Sequence, residues 1–286
     1  MRSRTTMPSH TDTTEILHGA TIQHGKKNNR IYLMDLADAE VQLLIPDLIS
    51  LATENGYGKI FAKIPQSKGA GFTEAGFTLE AKVERLYGGE DDGLFLAYYL
   101  DRDRREEAVK AKYDRVLNLA RSKQTSGPNS PSHSVRLCTE ADAEHMANLY
   151  RSVFDSYPFP IDDPAFIVQS MQEGTIYGGI EDQGILVALA SAECDFSPHA
   201  LYAEMTDFAT KKDHRGNGYA LSLLAFLERV AHDRGIRTLY TIARAISPGM
   251  NITFAKSGYR YGGRLRNNTD IGGDIESMNV WYRPES

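Results

Sequence analysis

Cysteine is scarce, with Cys138 and Cys194 the two copies in 286 residues, which excludes a disulfide framework or a thiolate metal site. The eight histidines include no His-x-x-x-His pair, so no metal is assigned. No stretch approaches the roughly 18 consecutive apolar residues of a membrane span. The opening MRSRTTMPSHTDTTE lacks the apolar core of a signal peptide, and residues 1–15 read as a flexible tail. An excess of positive charge is also missing. The 32 basic residues are scattered among 38 acidic ones and the net charge is -6, which argues against a nucleic-acid surface. The expectation is a cytoplasmic protein with neither nucleic acid nor membrane as partner.

What is present suffices for substantial cores. Hydrophobic residues make up 41% of the chain, and its length suggests two domains. RSKQTSGPNSPSHS has the Ser, Pro and Gly content of a linker, placed at 121–133. The charged helix before it lays Val109, Tyr113, Val116, Leu117 and either Leu119 or Ala120 on a neighbour. LLIPDLISLATENGYGKIFAKIP and LLAFLERVAHDRGIRTLYTIARA each read as helix, glycine turn and strand, and FTEAGF repeats the spacing of FAKSGY. This is read as an internal repeat.

The second copy carries the chemistry. Leu201 to Thr210 alternates as a strand, with Tyr202, Glu204, Thr206, Phe208 and Thr210 on one face and Asp207, by parity, on the other unless a bulge changes the phase. The turn Arg215-Gly216-Asn217-Gly218-Tyr219-Ala220 then opens a helix. A helix start offers unpaired N–H groups and a positive dipole end, and Gly216, Gly218 and the small Ala220 leave an anion free to approach. An ordinary strand-to-helix turn also fits a bare Gly-x-Gly. The first copy has LADAEVQLL in place of this loop, so it cannot form the same cradle.

Strand, phosphate turn, helix, strand, helix and a Gly-aromatic pair, with Arg-x-x-Gly-x-Gly/Ala in the turn, resemble the GCN5-related N-acetyltransferases (GNAT). The resemblance covers about Ser134 to Ser286. It implies an α/β (α+β) fold with a mixed, mostly antiparallel sheet flanked by helices. A degenerate, non-catalytic partial copy with its linker helix precedes it at 16–120, and the catalytic unit spans 134–286. It also implies acetyl-CoA as co-substrate, with the pantetheine arm along Phe208, Ala209 and Thr210 and the pyrophosphate at Arg215, Gly216, Asn217, Gly218, Tyr219 and Ala220. Asn251 is a further candidate contact. Phe254 stands where the family often has the tyrosine that protonates the leaving thiolate, and a phenyl ring cannot do so.

Amide formation needs a base, because an ammonium has no lone pair, and a carboxylate serves best when burial raises its pKa. Glu204 is the candidate, although a surface glutamate is the plainer alternative. Backbone N–H groups at the splayed strand, Phe208 first, would hold the oxyanion.

Over nearly the whole chain the pattern is similar to the beta-lysine N-acetyltransferases. That similarity implies acetylation of the terminal amine of (3S)-3,6-diaminohexanoate to give an osmolyte, with lysine 2,3-aminomutase as pathway neighbour. Arg244 and Arg264 are the candidates for the substrate carboxylate. Asp155, Asp207 and Glu204 are those for its distal ammonium, and Tyr157 and Phe159 for its stem. Another amine (a polyamine, an antibiotic, a protein lysine), or a CoA-binding sensor without catalysis, are the alternatives. The assembly state is compatible with a homodimer.

Overall fold

The computed structural model describes residues 12–125, 132–155 and 157–284. Most of the segment read as a tail, and residues 126–131 of the linker, therefore lie outside the described residues. The first half comprises β1 (Thr13–Leu17), β2 (Ala20–Gly25), β3 (Arg30–Asp35), α1 (Val41–Glu54), β4 (Lys59–Pro65), α2 (Gly69–Glu74), β5 (Thr78–Tyr87) and β6 (Asp91–Tyr99). Helix α3 (Lys110–Arg121) leads to β7 (Arg136–Leu137), α4 (Ala143–Val153) and α5 (Pro164–Gln172). The hairpin β8 (Ile176–Asp182) and β9 (Ile185–Asp195) follows, then β10 (Tyr202–Thr210), α6 (Tyr219–Asp233), β11 (Thr238–Arg244), α7 (Pro248–Lys256), β12 (Arg260–Ile271) and β13 (Asp274–Pro284). None of the described helices is long and apolar enough to cross a membrane.

The described strands join one 13-stranded sheet in the order β1-β2-β3-β4-β6-β5-β12-β13-β11-β10-β9-β8-β7. Read inward from β1, or inward from β8, the arrangement is the same. Two antiparallel hairpin steps lead to a parallel strand reached through a helix, and a final hairpin is inserted in reverse order. The copies meet where β5 pairs with β12 through Ala81 and Gly263. The seam is tight enough to exclude a side chain. A Cβ on Gly263 would lie 2.3 Å from the Glu80 carbonyl oxygen, and the residue has φ 147°.

The sheet coils so that its two halves face each other. Tyr32, Phe61, Val83 and Phe95 of the first half pack against Tyr202, Tyr240, Val280 and Tyr282 of the second in one aromatic core. The opposite face of the second half carries α6 and α7 over Ala203, Met205, Leu239 and Trp281. α4 and α5 cover Tyr177 and Leu189. The apolar stripe of α6 explains its placement, because Leu223, Leu224, Leu227, Val230 and Ala231 are all buried.

Helix α3 chooses Ala120, buried, over Leu119, which is exposed, and Val109 also stays exposed. Although read as the end of the first unit, α3 lays Leu117 and Ala120 on the core of the second half. Strand β1 likewise begins inside the segment read as a tail.

Gly263→Ala is expected to lower the unfolding free energy by about 2 kcal/mol or more, because the methyl group meets backbone rather than a movable side chain. Chemical denaturation checks it. A loss within experimental error would mean that the β5–β12 seam opens freely.

Candidate active site

The site begins where two strands part. β10 pairs in parallel with β11 only from Tyr202–Glu204 against Thr238–Tyr240. Past Glu204 the register of β10 on β9 slips between Thr206 and Ala209, and Asp207 takes a left-handed backbone, φ 54°. Such a bulge bends its strand, and aspartate is among the residues that tolerate this conformation. β10 therefore diverges from β11 and opens a wedge. Ala209 and Thr210 stay paired with Leu189 and Ala188 of β9, so their other edge faces the wedge with no strand against it. An extended pantetheine arm would fit such an edge.

The bulge also moves Asp207. Its Oδ2 accepts from Ser191 Oγ at 2.7 Å and its Oδ1 from Tyr157 OH at 2.7 Å. Ser191 lies opposite Thr206 and therefore on the Glu204 face. The parity reading fails here for the reason it allowed, and Asp207 joins Glu204 on one side of the sheet. Glu193 of β9, directly opposite Glu204, completes a group of three carboxylates.

Their ionisation is shaped by enclosure. Burial raises the pKa of Glu204. The Lys63 ammonium and a hydrogen bond from Tyr240 OH to Oε2, 2.8 Å, pull it back down, while Asp207 adds to the rise. Burial also raises Asp207, against the hydrogen bonds from Ser191, Tyr157 and Thr206. Glu193 is exposed by comparison, and the nearby Asp207 and Glu204 carboxylates raise its pKa. Such a group resists being fully ionised without a cation among its members.

Part of the opposing wall comes from the first half of the chain. Lys63 of β4 is buried, and its Nζ donates to Tyr202 OH at 3.0 Å and Tyr240 OH at 3.3 Å. Lys27, between β2 and β3, donates to the Tyr157 carbonyl oxygen at 2.7 Å.

The loop at 215–220 has the features of an anion cradle. Gly216 and Gly218 have φ 87° and 78°, and a Cβ added at either meets nothing within 4 Å. Among the described residues, no acceptor is paired with the backbone N–H groups of residues 216–220, which lie at the start of α6. Arg215 anchors its Nε to the Thr210 carbonyl oxygen at 3.2 Å. Tyr219 packs edge-on against His133, whose Nε2 is 2.7 Å from the Asn217 carbonyl oxygen. His214 faces Asp182 at 3.3 Å instead of the cradle.

Several sequence-based candidates are corrected. Asn251 is fully buried. Its amide nitrogen donates to the Arg244 and Ser247 carbonyls, and its oxygen accepts from Asn279 and from the Trp281 indole, so all its capacity is used and none is left for CoA. Phe254 is 1% exposed, wedged edge-on between Phe208 and Tyr259, and supports Phe208 instead of touching a cofactor. Arg264 is held by Asp114 at 2.9 Å and by Asn279, on the helix-covered face opposite Glu204. Arg244 is engaged by both oxygens of Glu276, at 2.8 and 2.6 Å. Both arginines are thus committed to carboxylates of this chain. Asp155 is exposed and makes no hydrogen bond or ion pair with the described residues. Phe159 packs into the core under α4 and α5, whereas Tyr157 is on the cleft.

A profile described as "Acetyltransferase (GNAT) family" matches residues 142–258, which include β10, the cradle and α7. The chain is 38% identical over 272 residues to a beta-lysine N(6)-acetyltransferase of Methanococcus maripaludis, covering 93% of this chain and 97% of that protein. The chain belongs to the GNAT acetyltransferase family. A second relative of this acetyltransferase, the beta-lysine N(6)-acetyltransferase of Methanosarcina mazei, is 32% identical, covering 82% of this chain and 94% of that one. Among solved structures, a phosphinothricin acetyltransferase of Sinorhizobium meliloti in complex with AcCoA aligns with TM-score 0.48 and 18% identity, over 54% of this chain and 88% of that one.

Sequence reasoning missed Glu193, Lys63 and Tyr240 in this acetyltransferase. Glu193 was within reach, since ASAECD and YAEMTD each set an acid into an alternating strand. Lys63 carried a weaker signal, a lysine inside the apolar strand KIFAKIP.

Gly218→Glu is expected to weaken acetyl-CoA binding by about 100-fold or more with the fold intact, since the open space takes the side chain but its charge faces the incoming phosphates. Calorimetric titration tests this, and wild-type affinity would remove the cradle assignment. Asn251→Ala should cost about 3 kcal/mol of stability by orphaning the Trp281 and Asn279 donors. Its acetyl-CoA affinity should stay within a few-fold of wild type, and a selective loss of affinity would restore Asn251 as a ligand.

Proposed function

We propose that the protein is an acetyl-CoA-dependent N-acetyltransferase of beta-lysine, (3S)-3,6-diaminohexanoate, acting on the terminal N6 amine. The observation that carries this reading is the 38% identity to a beta-lysine N(6)-acetyltransferase across 93% of the chain. That span takes in both halves, and both halves wall the cleft. A group of carboxylates suits a substrate with two ammonium groups, on C3 and C6, better than one with a single positive centre. Lys27, which is partly exposed beside Tyr157, is the candidate cation for the substrate carboxylate in place of the engaged Arg244 and Arg264.

Catalysis follows from what these residues can do. Asp207 and Glu193 hold the incoming ammonium at the wedge, and Glu204, directly or through a water, takes one of its protons. The freed lone pair forms the C–N bond to the thioester carbonyl carbon, and the oxyanion is held by backbone N–H groups at Phe208. Collapse breaks the C–S bond, and the nitrogen gives up its second proton to water as the neutral amide forms. The thiolate, with a pKa near that of cysteine at about 8.5, departs without an acid, in keeping with Phe254 where the family often has tyrosine.

The first half is read as a non-catalytic partner. Tyr32 pairs with Phe61 as Glu204 pairs with Tyr240, so a tyrosine stands where the base would be. The turn before α1 offers Asp38 and Glu40 and no glycine. Residues 16–120 then serve as the degenerate copy, 121–133 as a linker and 134–286 as the catalytic unit. By likeness to the family, lysine 2,3-aminomutase would supply the substrate, and the product would serve as an osmolyte.

Thiol release from acetyl-CoA with beta-lysine, lysine, spermidine and a lysyl peptide tests the assignment, and kcat/KM for beta-lysine is expected to exceed the others at least about tenfold. Preference for another amine would replace the substrate, and tight CoA binding without turnover would favour a sensor. Glu204→Gln should lower kcat roughly 100-fold with little change in acetyl-CoA affinity. A wild-type rate would remove Glu204 as the base.

A further inference from the structure

We propose that Lys63, contributed by the first half of the chain, is a positioning residue for Glu204 and acts on it through Tyr240. The inference rests on the reading of Glu204 as the base and goes beyond it by assigning part of the catalytic apparatus to the degenerate copy.

The geometry is a relay across the two facing halves. Lys63 Nζ donates to Tyr240 OH at 3.3 Å and to Tyr202 OH at 3.0 Å, and Tyr240 OH donates onward to Glu204 Oε2 at 2.8 Å. Each phenolic oxygen accepts from the ammonium, which commits the Tyr240 proton to the carboxylate. The base is thus offered a fixed side-chain donor, beside the Ile242 backbone N–H that also holds its carboxylate. The lysine is 7% exposed and lies 4.6 Å from the centroid of the Tyr202 ring. Burial disfavours its charge, but the oxygens of Tyr202, Tyr240, Tyr32 and Tyr87 outweigh that and keep it an ammonium.

A structural role alone would not need a cation there. The groups facing Glu204 are Glu193 from β9, Asp207 from the bulge, Tyr240 from β11 and Lys63 from β4. Tyr32 of β3 stands across from it. Lys63 is the positive charge in that set, set against two carboxylates besides the base. Without it, burial and Asp207 would act on Glu204 unopposed by a cation, and the carboxylate would hold its proton to higher pH. A protonated Glu204 cannot accept a proton from the substrate.

The test uses the full chain with Lys63→Met, Lys63→Gln and Tyr240→Phe. Side-chain carboxyl 13C NMR titration of the free protein reads Glu204 directly, its signal identified by its loss in Glu204→Gln. Removing the cation should move the Glu204 midpoint upward by about one pH unit or more in both Lys63 variants, and Tyr240→Phe should move it in the same direction. With beta-lysine as acceptor, the acid limb of kcat/KM should rise in parallel, while the limb set by the substrate amine stays in place. kcat at neutral pH should fall about tenfold, with the KM for acetyl-CoA unchanged. Thermal melting controls for folding, and if Lys63→Met does not fold, Lys63→Gln and Tyr240→Phe decide the matter. An unmoved Glu204 midpoint in the folded variants overturns the proposal. So does a raised amine KM with an unmoved limb, which would make Lys63 a substrate ligand. Wild-type turnover of Glu204→Gln beside a shifted midpoint is the separate signature that Glu204 is positioned but is not the base.

Discussion

Parallel pairing between β10 and β11 stops after Glu204, and the site exists because it stops. Had the ladder continued in the same register, Ile242 would lie opposite Thr206 and Ala243 opposite Asp207, and no wedge would separate the strands. The bulge at Asp207 ends the pairing on one side and keeps β9 attached on the other. One backbone irregularity thus opens a binding edge, brings a second acid to the face of the first, and leads the strand toward the glycine turn. The helix start there holds its N–H groups out for an anion.

Charge is managed around this opening by distance and by aromatic oxygens more than by ion pairs. Ion pairs elsewhere are structural, as Lys59 with Glu80 at 2.7 Å and Arg264 with Asp114 show. In the cleft, Glu204 accepts from a phenol and Asp207 from a phenol and a serine, all neutral donors. Neutral donors steady a carboxylate without neutralising it, which leaves attraction for an arriving cation.

The strand, turn and helix of the second half could be read from periodicity and glycine placement, because those are local properties. The carboxylate group could not. Asp207 obeys the two-residue alternation until a left-handed residue breaks it, and nothing in YAEMTDFAT marks where that occurs. Asn251, Arg244 and Arg264 carried the right functional groups, but their partners Trp281, Glu276 and Asp114 are distant in sequence and took up that capacity. The role of Lys63 was unreadable for the same reason in reverse, since its partners belong to the other half of the chain.

The mirrored strand order has a consequence for synthesis. A ribosome completes β1 to β6 long before β12 is made, and β12 is the strand that pairs with β5. Until then the emerging half carries an open strand edge beside Tyr32, Phe61 and Phe95, whose partners Tyr202, Tyr240 and Tyr282 are not yet translated. Such an edge next to a bare aromatic face favours pairing with a neighbouring chain. The first half, which gives the cleft its second wall, therefore also depends on prompt arrival of the second.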